Sequence, residues 1–386
     1  MGVIYDAVVV GAGPGGMSSV AALLDAGARK LLWIDPNWHG GRLNGLYREI
    51  SSNTTVAIYL KAIHSSATLR SIIDSTPAPN AVTQLASMSH DSTCQLSVAG
   101  DMLCMLIDGL LARPEVEKLT ATVDAAHLGN GIWTVTTTPD PSPTALESHS
   151  LILCTGSHPR TAIKHLTHNP DLQRLDLDEC MRRSHLPSLL PTDTPAIVAV
   201  VGNSHSGILV VRNLYEIAQS GERDLKIINF HRRPIRYAIY TEDGIIYDNT
   251  GLKGATAEWA REVMEKNPDP GILQTVCDRD DEEGVFAEYL PRCTHIVYAV
   301  GYEREPIPQV FVEGRRVDAE MGFDMRSSGF GGVEGLEEIR GLFGAGIAFP
   351  EEVKDPEGHV EAAVGVAKFI NFTQRVKGSW LEGGGT

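Results

Sequence analysis

The sequence predicts an α/β protein with two domains, because one pattern of strand, glycine turn and helix occurs twice in its 386 residues. The first copy is an apolar strand at residues 5–10, the turn Gly11-Ala12-Gly13-Pro14-Gly15-Gly16 and a small-residue helix over 17–26. The second is an apolar strand at 196–201, the turn Gly202-Asn203-Ser204-His205-Ser206-Gly207 and an apolar helix over 208–219. Glycines in such a turn let the chain bend sharply and let backbone N–H groups approach a pyrophosphate, while the helix N-terminus offers partial positive charge. Both turns therefore read as dinucleotide cradles, and the fold as two Rossmann-like dinucleotide-binding domains.

Context supports the first cradle more than its glycines do. With 38 glycines in the chain, three at fixed spacing arise by chance roughly 0.4 times in such a length. A second strand at 30–34, however, ends in Asp35, whose carboxylate is placed to hydrogen-bond an adenosine ribose. Gly11, Gly13, Pro14, Gly16 and Asp35 are thus the first set of candidate binding residues. In the second cradle Gly202, Ser206 and Gly207 keep the pattern, but Ser204 stands where the middle glycine is expected. Its side chain either crowds a pyrophosphate or donates to it, so a vestigial turn stays open. The strand at 225–230 ends in His231-Arg232-Arg233 rather than in a carboxylate. Guanidinium groups there suit a 2′-phosphate, so Arg232 and Arg233 point to NADPH over NADH, the alternative being a solvated basic turn. The Ser204-His205-Ser206 run is not a hydrolase elbow, which would require Gly-x-Ser-x-Gly.

Two further strands end in Cys154-Thr155-Gly156 and Ala299-Val300-Gly301, like the exits of two nucleotide-binding halves. Between residues 100 and 156 the pattern predicts an amphipathic helix over 102–112 and short strands at 119–123, 132–137 and 151–153, a β-meander inserted before the last strand of the first domain. Proline-rich stretches at 139–143 and 187–195 mark a hairpin and a linker. The predicted divisions are 1–190, 191–301 and 302–386. The last has a single long helix, expected at 358–369, and returns to complete the first domain, which is therefore discontinuous.

A formal charge of −16 with pI near 5.2, and no run of five Lys or Arg, argues against nucleic-acid binding. No apolar run approaches the ~20 residues of a membrane helix, and a strand starting at residue 5 leaves no room for a targeting peptide, so a cytoplasmic protein with small-molecule partners is expected. The six cysteines form no CxxC pair, which removes a dithiol relay. Cys154 and Cys180 remain as thiols that are either reactive or simply buried.

The order GAGPGG (11–16), GGRL (40–43), CTG (154–156), GNSHSG (202–207), HRR (231–233), AVGY (299–302) and LFGAG (342–346) resembles the two-dinucleotide-binding-domain flavoproteins over most of the chain. The resemblance implies FAD in the first domain and NADPH in the second, with Gly41, Arg42, Gly156, Gly301 and Gly346 among the cofactor contacts. The thioredoxin-reductase branch is similar at HRR but carries a dithiol. The flavin-containing and N-hydroxylating monooxygenases are similar at Gly40-Gly41, at the AVGY turn and at residues 47–53, which approximate their YPxLRxN segment; that match makes Asn53 the catalytic candidate beside the flavin. The chain departs from them in lacking FxGxxxHxxx[YF] and in placing Ile347 where an acidic residue is customary. The implied activity is oxygenation of a small organic substrate: NADPH reduces FAD, and reduced flavin takes up O₂ as a C4a-peroxide that passes on one oxygen atom. Two rivals are a flavin dehydrogenase or oxidase, told apart by product mass, and a non-catalytic nucleotide-binding redox sensor, told apart by absent NADPH consumption. His39, His64 and His359 are near turns expected to flank the flavin. The loops at 53–95 and 237–260 are expected to shape the substrate pocket, and the oligomeric state is left open.

Overall fold

The computed structural model describes residues 3–139, 145–162, 164–266, 269 and 271–382. Its first half runs β1 (Ile4–Val10), α1 (Pro14–Asp25), β2 (Leu31–Ile34), α2 (Gly41–Leu46), β3 (Ser51–Thr55), α3 (Val56–Ile63), α4 (Ala67–Ser75), α5 (Ala81–Ala86), β4 (Thr93–Gln95), α6 (Leu96–Leu111), β5 (Val116–Leu119), β6 (Thr122–Gly129), β7 (Ile132–Thr138) and β8 (Leu146–Leu153). The apolar strands β1, β2 and β8 lie at the centre of a large sheet because only a sheet covered on both faces can bury such runs. β1 is parallel to both β2 and β8, and β5 adds parallel to β2. β6, β7 and β8 are successive antiparallel neighbours. The expected strand at 119–123 is in fact the end of β5 and the start of β6, two strands in different parts of the sheet. Part of the proline-rich stretch at 139–143 lies outside the described residues.

Residues 53–95, read as loops from sequence, are mostly the helices α3, α4 and α5. Leu69, Ile72, Val82 and Leu85 recur at helical spacing and enter the same core as α1 and α6.

The second unit is a five-stranded parallel sheet. β9 (Ser157–Pro159) leads into it, and its strands include β10 (Gln173–Leu175), which precedes the short helix α7 (Leu177–Cys180), and β11 (Ala196–Val201), which precedes α8 (His205–Gln219) and β12 (Leu225–His231). The strand order is β10, His295–Tyr298, β11, β12, Leu273–Cys277. The expected division at 190/191 therefore falls late. β10 pairs with His295–Tyr298, and Leu175, Leu177 and Cys180 pack into the second core with Val198 and Val210. The chain crosses between the units twice, and the two crossings pair as an antiparallel ribbon, β9 with Tyr302–Arg304.

The segment after the second unit adds the strand Leu336–Gly344 parallel to β8 and lays its last helix, Val366–Glu382, on α1. That helix begins eight residues later than expected, because Val360–Ala363 pairs with Glu351–Lys354 as a hairpin and Gly365 breaks the chain at φ +142°. Trp380 anchors it: the indole is buried and donates to Ser328 Oγ at 2.8 Å, and the Trp380 carbonyl accepts from Ser150 Oγ at 2.7 Å. Among the described residues no helix is long and apolar enough to cross a membrane.

Candidate active site

A cavity of about 810 Å³ opens at the C-terminal ends of β1 and β2, and Gly11, Gly13, Pro14, Asp35, Gly41, Arg42, Gly156 and Gly346 all line it. These eight were singled out from motifs spread over more than 300 residues of sequence. The glycines there serve different purposes. Gly11 has φ +105°, and a Cβ on it would stand 2.3 Å from the Cys154 carbonyl oxygen. A Cβ on Gly16, which is outside the cavity, would stand 1.8 Å from the Gly11 oxygen, so this glycine lets α1 press against the turn. Gly15 was not singled out, yet its Cβ would stand 2.8 Å from Gly346 Cα. Gly13 is different: its backbone is ordinary (φ −82°, ψ −168°) and a Cβ would meet only Gly41 Cα at 3.8 Å. Protein packing does not require a glycine at 13; an open floor to the cavity does.

Asp35 holds the turn as well as facing the cavity. One carboxylate oxygen accepts from Ala12 N–H at 2.7 Å, the other from Asn37 N–H at 2.7 Å and Trp38 N–H at 2.8 Å. Thr155 Oγ1, on the cavity wall, is buried and without a hydrogen-bond partner among the described residues, an oxygen suited to a ligand. Gly365 and Val366, at the start of the last helix, also line the cavity and aim a helix N-terminus at it.

The second turn repeats the first in detail. A Cβ on Gly202 would stand 2.3 Å from the Ala299 oxygen, and one on Gly207 2.3 Å from the Gly202 oxygen. Ser204 has φ −81° and ψ −174°, the backbone of Gly13, and its exposed side chain does not cap α8. Trp33 Nε1 donates to the Gly11 carbonyl at 2.8 Å, and Asn229 Nδ2 donates to the Gly202 carbonyl at 2.9 Å. By strand register His231 then occupies the place of Asp35. Just beyond, Arg232 is ion-paired with Glu282, whereas Arg233 is exposed and makes no ion pair among the described residues. Gly301 makes the opposing turn at φ +104°.

The structure does not bring Asn53 to the first cavity. It lies in β3 with its Nδ2 3.3 Å from Nδ1 of His205, the first residue of α8, so it joins the first unit to the second turn. Nor does it cap α3, whose N-cap is Thr55. Burial lowers the His205 pKa to about 4, leaving the ring neutral at physiological pH. Of the other histidines only His39 lines the cavity; His64 ends α3 in solvent, and His359 is held by Asp355 and Tyr247. All six cysteines are free; burial raises Cys154 to about 12 and also raises Cys180, which makes both poor nucleophiles.

Sequence reasoning missed Asp178. Its carboxylate is 2% exposed and accepts from Arg42 Nη1 at 2.5 Å and Tyr47 Oη at 2.9 Å. Burial raises its pKa against the opposing effects of Tyr47 and Arg42. No motif surrounds Asp178, and only the packing of α7 places it beside Arg42.

Two glycine turns at the C-terminal ends of parallel strands, in two sheets joined by a ribbon, define the two-dinucleotide-binding flavoprotein class. No family model matches the chain. It is 40% identical, over 386 residues and 97% of both chains, to the monooxygenase AgnR1 of Paecilomyces divaricatus. The chain belongs to this monooxygenase family. Among solved structures the fold matches DfoA of Erwinia amylovora, a cadaverine monooxygenase bound to FAD, with TM-score 0.62 at 12% identity over 99% of this chain and 94% of that one. It also matches a cyclohexanone monooxygenase of a Rhodococcus species bound to NADP⁺, with TM-score 0.53 at 11% identity over 97% and 85%.

Proposed function

We propose that the first cavity holds FAD, that the second turn holds NADPH, and that the chain oxygenates a small organic substrate with O₂. The observation that carries this is Gly13, a glycine that no packing contact among the described residues requires, on the floor of a cavity also lined by Gly11, Pro14, Asp35, Gly41, Arg42, Gly156 and Gly346. On this reading the FAD domain is discontinuous: the first segment, with its antiparallel β6–β7–β8 run, is completed after the second unit by Leu336–Gly344 and the last helix. The first turn and the N-terminus of α1 would receive the pyrophosphate, Asp35 the adenosine ribose, and Thr155 Oγ1 a polar group of the cofactor. Bound there, FAD would accept hydride from NADPH and activate O₂ for transfer of one oxygen atom to the substrate.

The protein's own part is binding, orientation and exclusion of water. Val366 and its neighbours present helix N–H groups to negative charge in the cavity. Apolar wall residues such as Leu43, Leu46 and Phe369 keep water from it. Asn53 stays the catalytic candidate that the family resemblance implies, although it is outside the first cavity: its amide, held by His205 at the start of α8, is a donor that carries no labile acidic proton. Ser204 and Ser206 present hydroxyls at the N-terminus of α8, where they favour phosphate.

Purified protein should be yellow and release FAD rather than FMN. Gly13→Val should abolish flavin retention while leaving far-UV circular dichroism unchanged, since the new side chain enters the cavity and not the core. Colourless wild-type protein that cannot be reconstituted with FAD overturns the reading.

A further inference from the structure

One buried carboxylate is shared between the two nucleotide sites. Asp178 sits in α7, on the second core, where the ribbon of β9 and Tyr302–Arg304 joins the units. Its Oδ2 accepts from Arg42 Nη1 at 2.5 Å, and its Oδ1 stands 2.9 Å from the Tyr47 hydroxyl and 3.1 Å from the Tyr302 hydroxyl. The two tyrosine oxygens are 3.4 Å apart, and the Ser206 side chain lies beside Tyr302. Arg42 and Tyr47 line the first cavity; Ser206 is in the second glycine turn, and Tyr302 follows the turn at Gly301 that faces it. The other arm of Arg42 reaches Glu305 at 2.8 Å, also on the cavity wall, and Glu305 continues to His158 at 3.1 Å.

Three donors from both units thus converge on a carboxylate that is out of water. A buried carboxylate that loses a partner is strongly destabilised, so a change at one donor is compensated at the others. Arg42 is the only permanent cation lining the cavity among the described residues. A ligand group that takes a hydrogen bond from Arg42 changes what Asp178 receives, and with it the demand on Tyr302, beside Ser206. A ligand on the Ser206 hydroxyl acts in the reverse direction.

We propose that Asp178 is a positioning residue that couples the two dinucleotide sites, through Arg42 and Tyr47 on one side and Tyr302 and Ser206 on the other, so that occupancy of one changes affinity at the other. This rests on the reading that both sites take dinucleotides. A carboxylate that is only a strut between the units would affect stability equally whatever is bound; a coupling residue sets a ratio of affinities.

The test is a binding cycle on the full chain. The Kd for NADP⁺ is measured by calorimetry on the apoprotein and on the FAD-loaded protein, and the FAD Kd is measured with and without NADP⁺. Wild type should show the same ratio in both directions, about 5- to 150-fold from unity. Asp178→Asn and, separately, Tyr302→Phe should bring the ratio towards one while both ligands still bind. Tyr302→Phe removes one hydroxyl and no charge, so it decides the matter if Asp178→Asn does not fold. A ratio of one in wild type, or an unchanged ratio in the folded variants, overturns the coupling and leaves the two sites standing. Failure of wild type to bind FAD or NADP⁺ overturns both the sites and the coupling.

Discussion

At the scale of single residues, Asn53 carries the sharpest expectation. Its amide faces His205, whose burial keeps the ring neutral and able to accept a hydrogen bond at Nδ1. Asn53→Ala should leave FAD content and NADPH-driven flavin reduction nearly intact, while reducing power is diverted to hydrogen peroxide. Loss of one such donor in a dry site costs about 2.7–4 kcal/mol, so the coupled yield should fall by roughly two orders of magnitude. Product and hydrogen peroxide per NADPH are the quantities to measure; unchanged coupling removes Asn53 from the catalytic machinery. The sequence placed Asn53 in a motif-like segment, but its partner was invisible. His205 lies 152 positions away, in a turn whose glycines drew the attention.

At the scale of elements, the two strand–turn–helix units are the same device built from different side chains. Trp33 and Asn229 hold the two glycine carbonyls, and Asp35 and His231 end the two second strands. The difference at that last position bears on the coenzyme, because a carboxylate repels a 2′-phosphate and a basic run attracts it. Arg232 is already paired with Glu282, whereas Arg233 makes no ion pair among the described residues. Arg233→Ala should therefore raise the NADPH KM roughly ten- to a hundredfold, the loss of a charge-assisted contact of about 1.5–3 kcal/mol, and spare NADH. Arg232→Ala should have the smaller effect. Steady-state kinetics with both coenzymes tests this; equal losses for NADPH and NADH would assign the arginines to folding. The HRR run was legible because charge is a property of the residue. The pairing of Arg232 with Glu282 was not, because that carboxylate comes from a separate helix.

At the scale of the whole molecule, the last helix closes the first unit. Trp380, buried beside Phe343, joins the last helix to Ser150 and Ser328. Trp380→Ala should cost about 3–5 kcal/mol, read as a lower urea midpoint, with loss of FAD retention at denaturant concentrations that wild type withstands. A change confined to the last helix, with the flavin site unaffected, would show that the helix is an appendage. The sequence alone determined the two strand–glycine turn–helix units, the return of the chain to its first sheet and the absence of a CxxC pair. The turns follow from local pattern, continuous apolar strands and glycines that permit close approach, the return from a remainder too short for a third domain, and the missing pair from the spacing of the cysteines. Only the tertiary structure decided where the units divide, since Gln173–Leu175 is three residues with no period of their own and joins the second sheet by pairing with His295–Tyr298. The tertiary structure likewise decided that the expected helix at 358 begins as a hairpin and that Asp178 is buried against Arg42. Burial and pairing depend on what arrives from distant parts of the chain, and no local pattern records them.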